Sequence, residues 1–389
     1  MSSRVRRLSE SGRTTNALLK IPENAIFISN RVYLNPSGGG VQWCTRNYLD
    51  IIRASGLAVT IVPYDVDRRP HVRLGRKLRP RPFKNYLDFR ILSEIASAQE
   101  ETQSRWIFLN NSEPLPLAAA IKTTFGSKVS LVYLSHGLET TDQLNDVRLR
   151  GGSTLGSHCG AKWLGKLLLS ESDQRRYLDG VVCVSQEDVL FERWLGSENP
   201  YFLAHPVRSE LLDWRPVLGR IGTVATLNHM PNLDGIRRLA AELRDAQHIR
   251  FRVIGSPVDE GQKLIKDFPC IDYLGQLGEA ELRAEVATWA AFVNPIFCQA
   301  RGLSTKIATA LGWGIPVLTT LQGARGYRWD DSVLARTDSP PELAAVIIRA
   351  ATGSQIETWR EQSASIRNLA PSLEESGNML QEFLCRLRT

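Results

Sequence analysis

The residues best suited to chemistry stand at turns that follow apolar, strand-like runs. Asn35-Pro36-Ser37-Gly38-Gly39-Gly40 comes soon after the apolar run Ala25–Asn30 and opens a helical pattern. Glycines let backbone amides approach a phosphate, and the start of a helix adds partial positive charge. Gly302-Leu303-Ser304-Thr305-Lys306 repeats the arrangement before a helix expected over Ser304–Leu311, and Lys306 adds a full cation. Positions 302, 305, 306 and 309 share one helical face, while Ile307, Ala310 and Leu311 share the other. The polar set, Thr309 included, therefore turns away from the core. Such turns suit an anionic group of the diphosphate kind. His136 ends another strand-like run in Ser135-His136-Gly137, and Asn228 and Asn232 precede a further helix. A hydrogen-bonded structural histidine and a helix cap are the plainer readings of these three. Their place after strands points instead to a cleft.

The elements that must carry these turns alternate along the chain. Strands are expected at Ala25–Asn30, Ala58–Val62, Trp106–Leu109, Leu131–Leu134 and Gly180–Val184, with a helix over Val41–Ser55. Ser185 reads as an N-cap. The pattern restarts with strands at Ile221–Leu227, Phe251–Gly255, Ile271–Gly275, Ala291–Phe297 and Ile315–Thr320. A helix between the first two of these buries Ile236, Leu239, Ala240 and Leu243. Strands alternating with helices imply parallel sheets covered by helices. The fold class is therefore α/β, with two Rossmann-like domains facing across a cleft. The expected division is a basic tail over 1–20, a first domain over 21–205, a second over 206–370, and a C-terminal helix over 371–389 packing back on the first. Ala204–Leu218, with Pro206 and Pro216, is the linker. Ligands of open parallel sheets sit beyond the carboxyl ends of the strands.

Composition narrows the function classes. With 389 residues, 43% hydrophobic and 23% charged, the chain is of ordinary globular make-up and long enough for two cores. No run of 18 apolar residues occurs, and the N-terminus has no apolar signal core, so a cytoplasmic location is expected. Six scattered cysteines and six histidines form no CxxC or HExxH spacing, which supports neither a disulfide framework nor a metal site. The glycine run is not GxGxxG and no acidic ribose partner follows it, which disfavours a nicotinamide cofactor; none is expected. Asp65-Val66-Asp67 looks like a DxD metal motif but lies straight after an early strand, beside a basic run, and reads as a decoy. Residues 1–90 hold 17 basic and 6 acidic side chains against a whole-chain net of +7, so the remainder is net acidic. Much of the excess lies in residues 68–84. That stretch reads as a solvated loop or as a patch for an anionic membrane surface on the inner face. No nucleic-acid-binding motif accompanies it.

The block Asn294-Pro-Ile-Phe-Cys-Gln-Ala-Arg301-Gly302-Leu303-Ser304-Thr305-Lys306-Ile-Ala-Thr309-Ala-Leu-Gly-Trp-Gly314-Ile-Pro316-Val317 continues to Gly323-Ala-Arg-Gly326. It resembles the C-terminal signature of GT-B glycosyltransferases of the family 4 type. Pro231-Asn232-x-Asp234-Gly235, Gly38-Gly39-Gly40 and Ser135-His136-Gly137 are similar to that family in the same order. The resemblance implies transfer of a sugar from a nucleotide-diphospho-sugar donor, held mainly by the second domain, to a glycan or glycolipid acceptor in the first. It implies metal-independent chemistry with retention of configuration. Lys306 and the helix starts would neutralise the departing diphosphate, Gly39 and Gly40 would approach it from the other wall, and His136 would meet the donor sugar. The family often carries two glutamates seven residues apart; the matching positions here are Arg301 and Thr309. Three readings follow. The donor differs, with a carboxylate-bearing sugar on Arg301 or a deoxyribose at Thr309; the site is rebuilt, with Arg301 on phosphate; or the chain is a non-catalytic sugar-nucleotide-binding or scaffold relative.

Overall fold

The computed structural model describes residues 24–36, 38–66, 69–70, 74, 90–149, 154–327, 336–337, 339–350, 353 and 355–388. Six strands form a first sheet: β1 Asn24–Asn30, β2 Ala58–Tyr64, β3 Trp106–Asn110, β4 Ser130–Leu134, β5 Gly180–Cys183 and β6 Pro200–Phe202. Their order is β2-β1-β3-β4-β5-β6, and every pairing is parallel. Six more form a second sheet: β7 Val217–Thr226, β8 Arg250–Ser256, β9 Ile271–Gly275, β10 Trp289–Asn294, β11 Val317–Thr320 and β12 Arg336–Thr337. Their order is β12-β11-β10-β7-β8-β9, again parallel throughout.

The central strands are apolar on both faces because helices cover both. In the first sheet Phe27, Phe108 and Val132 point to one side, where Tyr48, Ile51 and Ile52 of helix Gly40–Ala54 meet them. Ile26, Ile28, Ile107, Leu109 and Leu131 point to the other, against Ile95 and Ile121. This is the strand period of two written in aliphatic and aromatic side chains. The second sheet has one core, in which Ile236, Leu239, Ala240 and Leu243 pack with Phe251, Trp289 and Phe292.

Residues 203–216 run between the sheets without helix or strand and are held by the second one. Glu210 and Leu212 donate backbone bonds to Gly312 and Trp313, and the Trp214 indole donates to the Trp289 carbonyl at 2.7 Å. The last helix, Leu373–Arg386, returns to the first sheet. Leu380, Phe383 and Leu384 join the core of Phe27 and Phe108, and Ser376 donates to the Ala204 carbonyl at 3.1 Å.

Small departures from the expected spans have local causes. The strand expected from Ile315 begins at Val317, because Pro316 has no amide to donate to a ladder. The strand expected to reach Phe297 stops at Asn294, again at a proline. Ser304 is the N-cap of helix Thr305–Trp313 rather than its first residue. Among the described residues no helix is long and apolar enough to cross a membrane. The basic tail 1–20 lies outside the described residues, as does the 68–84 stretch apart from Arg69, Pro70 and Leu74.

Candidate active site

The carboxyl ends of both sheets open on one cavity of about 430 Å³. The loop after β1 delivers Gly40, the turn after β4 delivers His136, and the end of β7 with the segment after it delivers Thr226, His229 and Asn232. The loop after β10 delivers Ala300 to Lys306, and the turn after β11 delivers Arg325. Three helices start here: Gly40–Ala54, Met230–Glu242 and Thr305–Trp313. Their N-caps are Gly39, His229 and Ser304, and none makes a side-chain capping bond. A helix start without a side-chain cap carries roughly half a positive charge and leaves its remaining free amides for water or a ligand. In Met230–Glu242 the start acts by its charge, because Pro231 has no amide and the Asn232 amide donates to the His229 carbonyl at 3.0 Å. Helix Glu139–Leu149 begins beside the same cavity but is treated differently. Its Glu139 and Thr140 amides donate to the buried Glu171 carboxylate at 2.7 and 3.3 Å.

Two cations face the cavity with only neutral hydrogen-bond partners among the described residues. Lys306 Nζ donates to Asn232 Oδ1 at 2.6 Å, and Asn232 Nδ2 donates to the Thr226 carbonyl at 2.9 Å. Burial, and then the positive charge of Arg325, push the Lys306 ammonium down to about 7. Arg325 is 7% exposed. It donates to the carbonyls of Gln322 and Arg301 at 2.6 and 2.9 Å, and its Nε has no partner among the described residues. Burial lowers its pKa even though Asp188 and Asp142 oppose the shift.

Arg301 is engaged otherwise. Its guanidinium is ion-paired with Glu139 and donates to Asn111 Oδ1 at 3.4 Å, and its backbone amide donates to Asp142 Oδ1 at 3.3 Å. Burial alone would lower its pKa, but Glu139 and Asp142 outweigh burial and raise it. Asp142 also meets His229 Nε2 at 3.3 Å, and Asn145 donates to the Gln299 carbonyl at 2.6 Å. One helix of the first sheet thus holds the β10 loop and the β7 turn of the second. On the other side of the cavity Gly40 lies against Thr305.

His136 lines the cavity and is 6% exposed. Its Nε2 lies 2.8 Å from Asn110 Oδ1. Burial first, then Arg301 and His205, hold its pKa well below the usual imidazole value, so the ring is neutral.

Most residues singled out in the sequence meet here. Gly40, His136, Asn232, Arg301, Leu303, Ser304, Thr305 and Lys306 line the central cavity, and Gly302 lies against the His136 carbonyl. Gly38, Gly39 and Thr309 line an adjoining cavity of about 420 Å³, whose walls include Ile254, Gly255, Ser256, Gln276 and Leu277 from the ends of β8 and β9. Asn228 is set apart, in a third cavity beside Glu113, Glu139 and Trp163. Capping explains neither asparagine. The helix starts at Met230 after His229, and Asn232 spends its side chain on Lys306 and Thr226. Asp65 pairs with Arg31 on the surface at 3.3 Å, and Asp67 lies outside the described residues. Arg325, Glu139, Asp142 and His229 were not among the expected residues. Arg325 closes the Gly323-Ala-Arg-Gly326 turn, and a lone arginine there carries no periodic signal. The other three matter through pairings across the cleft.

Residues 217–352 match the family model of Glycosyl transferases group 1. Comparison with curated proteins gave no match. Among solved structures the chain is similar to sucrose-phosphate synthase from Thermosynechococcus elongatus, with TM-score 0.63 and 14% identity over 94% of this chain and 99% of that one. It is similar to HepE of Anabaena in complex with UDP and glucose, with TM-score 0.60 and 14% identity over 93% and 99%. It is also similar to the apo form of the lipopolysaccharide outer core galactosyltransferase WaaB, with TM-score 0.59 and 10% identity over 93% and 99%. The chain therefore has the two-sheet GT-B fold of glycosyltransferases, and its second half matches the group 1 glycosyl transferases.

Proposed function

We propose that the chain is a metal-independent glycosyltransferase that moves a sugar from a nucleotide-diphospho-sugar donor to a glycan or glycolipid acceptor, with retention at the anomeric carbon. One observation carries this reading: three uncapped helix starts, Lys306 and Arg325 converge on a single cavity between the sheets. Each helix start favours an anion by about 0.3–1 kcal/mol, and more where water is excluded. Two cations whose protein partners are carbonyls and an amide await a negative charge. A diphosphate supplies it.

The adjoining cavity, reached past Gly39, Gly40 and Thr305, accommodates the nucleoside; the transferred sugar lies toward His136. As the bond from the anomeric carbon to the phosphate oxygen breaks, negative charge grows on that oxygen. Lys306 and Arg325 face it with little reorganisation, which is the kind of stabilisation that dominates many enzymes. The acceptor hydroxyl forms the new bond to the anomeric carbon, and its proton passes to the departing phosphate oxygen. HepE of Anabaena, bound to UDP and glucose, lends the donor class support. Charge in residues 68–84 supports an anionic membrane face as the place of work for a lipid-linked acceptor.

The test is titration of the purified chain with nucleoside diphosphates and nucleotide sugars in the presence of a chelator, followed by transfer assays on an acceptor panel. The reading expects chelator-insensitive binding and turnover. Binding with no turnover on any acceptor would favour a non-catalytic sugar-nucleotide-binding protein, and absence of binding would remove the reading altogether.

A further inference from the structure

The adjoining cavity, where the transferase reading seats the nucleoside, has one charged side chain among the described residues that line it, and that side chain is a cation. It is Lys306, shared with the central cavity; no aspartate or glutamate is among the described lining residues. Much of the wall is apolar, from Trp43, Ile254, Leu277, Leu282 and Trp313. Helix Thr305–Trp313 runs along it and shows the cavity Lys306, then Thr309, then Trp313. Each step is about one turn of the helix. With a diphosphate at Lys306 and the helix start, the pentose falls beside Thr309 and the base lies further along.

Thr309 has little to offer the hydroxyls of a pentose. Its Oγ1 donates to the Thr305 carbonyl at 3.2 Å, one turn back in the same helix. The single proton is thus spent, and towards a ligand the oxygen can only accept. The other hydroxyls of the wall have neighbours of their own. Ser256 Oγ accepts from Gln276 Nε2 at 3.3 Å, and Thr305 Oγ1 lies 2.9 Å from where a β-carbon of Gly40 would stand.

Nucleotide-binding α/β folds commonly hold the ribose 2′-hydroxyl with a carboxylate. A ligand without that hydroxyl would strand such a carboxylate, which has only lone pairs to present. A site built to bond a substrate hydroxyl rejects the analogue lacking it by roughly 10⁴–10⁵-fold, whereas an apolar pocket rejects an added hydroxyl by only about a hundredfold. The wall at Thr309 does neither. A missing 2′-hydroxyl strands no charge there. A hydroxyl that is present keeps water as a partner, because Thr309 is only half-buried.

We infer that the nucleoside cavity takes ribose and 2′-deoxyribose alike, so that 2′-deoxynucleoside-diphospho-sugars serve this chain as donors on equal terms with ribonucleoside ones, and that Thr309 sets this tolerance. The inference rests on the transferase reading for the identity of the ligand and goes beyond it in naming the donor class. It concerns the pentose alone and holds for any base and any transferred sugar.

Calorimetric titration of the full chain with nucleoside diphosphates tests it without an acceptor. UDP is compared with 2′-deoxy-UDP, and GDP and ADP with their 2′-deoxy forms, so that each pair differs in one hydroxyl. For whichever base binds, the two Kd values should agree within about fivefold. A larger gap in either direction overturns the inference and leaves the transferase reading standing. No binding by any of the six removes that reading, and the inference with it. Thr309→Glu supplies a carboxylate at this point and should open a gap of about tenfold or more in favour of the ribonucleotide. Thr309→Gln, of equal length but neutral, should open a smaller one. Each result is a ratio within one protein, so a general loss of diphosphate affinity or of stability cancels. A ratio in Thr309→Glu equal to the parent's overturns the role given to Thr309. Should that variant not fold, the parent's own ratio still decides whether the cavity is tolerant.

Discussion

Gly137 and Gly302 meet across the cleft with no room for a β-carbon on either. A carbon on Gly137 would lie 2.0 Å from the Gly302 nitrogen, and one on Gly302 would lie 2.4 Å from the His136 carbonyl oxygen. Both have positive φ, +87° and +60°. The turn after β4 and the loop after β10 therefore touch backbone to backbone, and this contact sets how closely His136 and Lys306 share one cavity.

Alanine at either glycine should part the two turns. The left-handed backbone alone costs an alanine about 1–2 kcal/mol, and the overlap adds to it. Each sheet keeps its own core, so far-ultraviolet circular dichroism should stay unchanged while donor turnover falls by about tenfold or more. Near-parental turnover in Gly137→Ala would show that the working enzyme does not need the contact.

Lys306 makes donor affinity depend on pH in a calculable direction. Its free-state pKa is about 7, and a bound diphosphate can only raise it. Below 7 the ammonium is already formed and the attraction is complete. As pH rises through 7, binding must take up a proton, and affinity falls by up to tenfold per pH unit until the raised pKa is passed. Calorimetry with a nucleotide sugar, whose diphosphate does not titrate in this range, should show the fall and the proton uptake. Lys306→Met should bind more weakly and show neither. A flat profile in the parent would remove Lys306 from the diphosphate.

Arg325 tests the same coupling from the other side. It is the second cause, after burial, of the low Lys306 pKa. Arg325→Met removes one cation facing the donor and should weaken binding at acidic pH. It should also let Lys306 rise toward its ordinary range, so that the loss of affinity sets in at higher pH than in the parent. An unchanged midpoint would mean that the two cations do not sense each other.

How much of this was open to reading from residue order follows from the range of the interactions. Apolar runs such as Ala25–Asn30 and Leu131–Leu134 specify buried strands locally, and the glycine turns mark where those strands release the chain. Lys306 stands on a helix whose polar and apolar faces are written at helical spacing, so it too was legible. Arg325 was not, because its meaning comes from burial and from the carbonyls of Gln322 and Arg301, neither of which leaves a pattern. The role of Arg301 was open for a different reason. Its partner Glu139 begins a helix that belongs to the first sheet's half of the chain, and nothing in either neighbourhood names the other.

The Arg301–Glu139 pair separates the possible uses of the arginine. If Arg301 is a strut between the sheets, removing either partner strands a partly buried charge. Glu139 is 31% exposed and Arg301 17% at the side chain, between the surface and buried cases. The cost should fall near 1–3 kcal/mol, read as a lower melting temperature. Replacing both with methionine should recover much of that loss and leave donor affinity close to the parent's. If Arg301 instead binds a carboxylate or phosphate of the donor, Arg301→Met should weaken donor binding about tenfold or more, and the second substitution should not restore it. A double-mutant cycle in melting temperature, run beside donor titrations of the same four proteins, decides between them, because a strut couples to Glu139 and a receptor couples to the ligand.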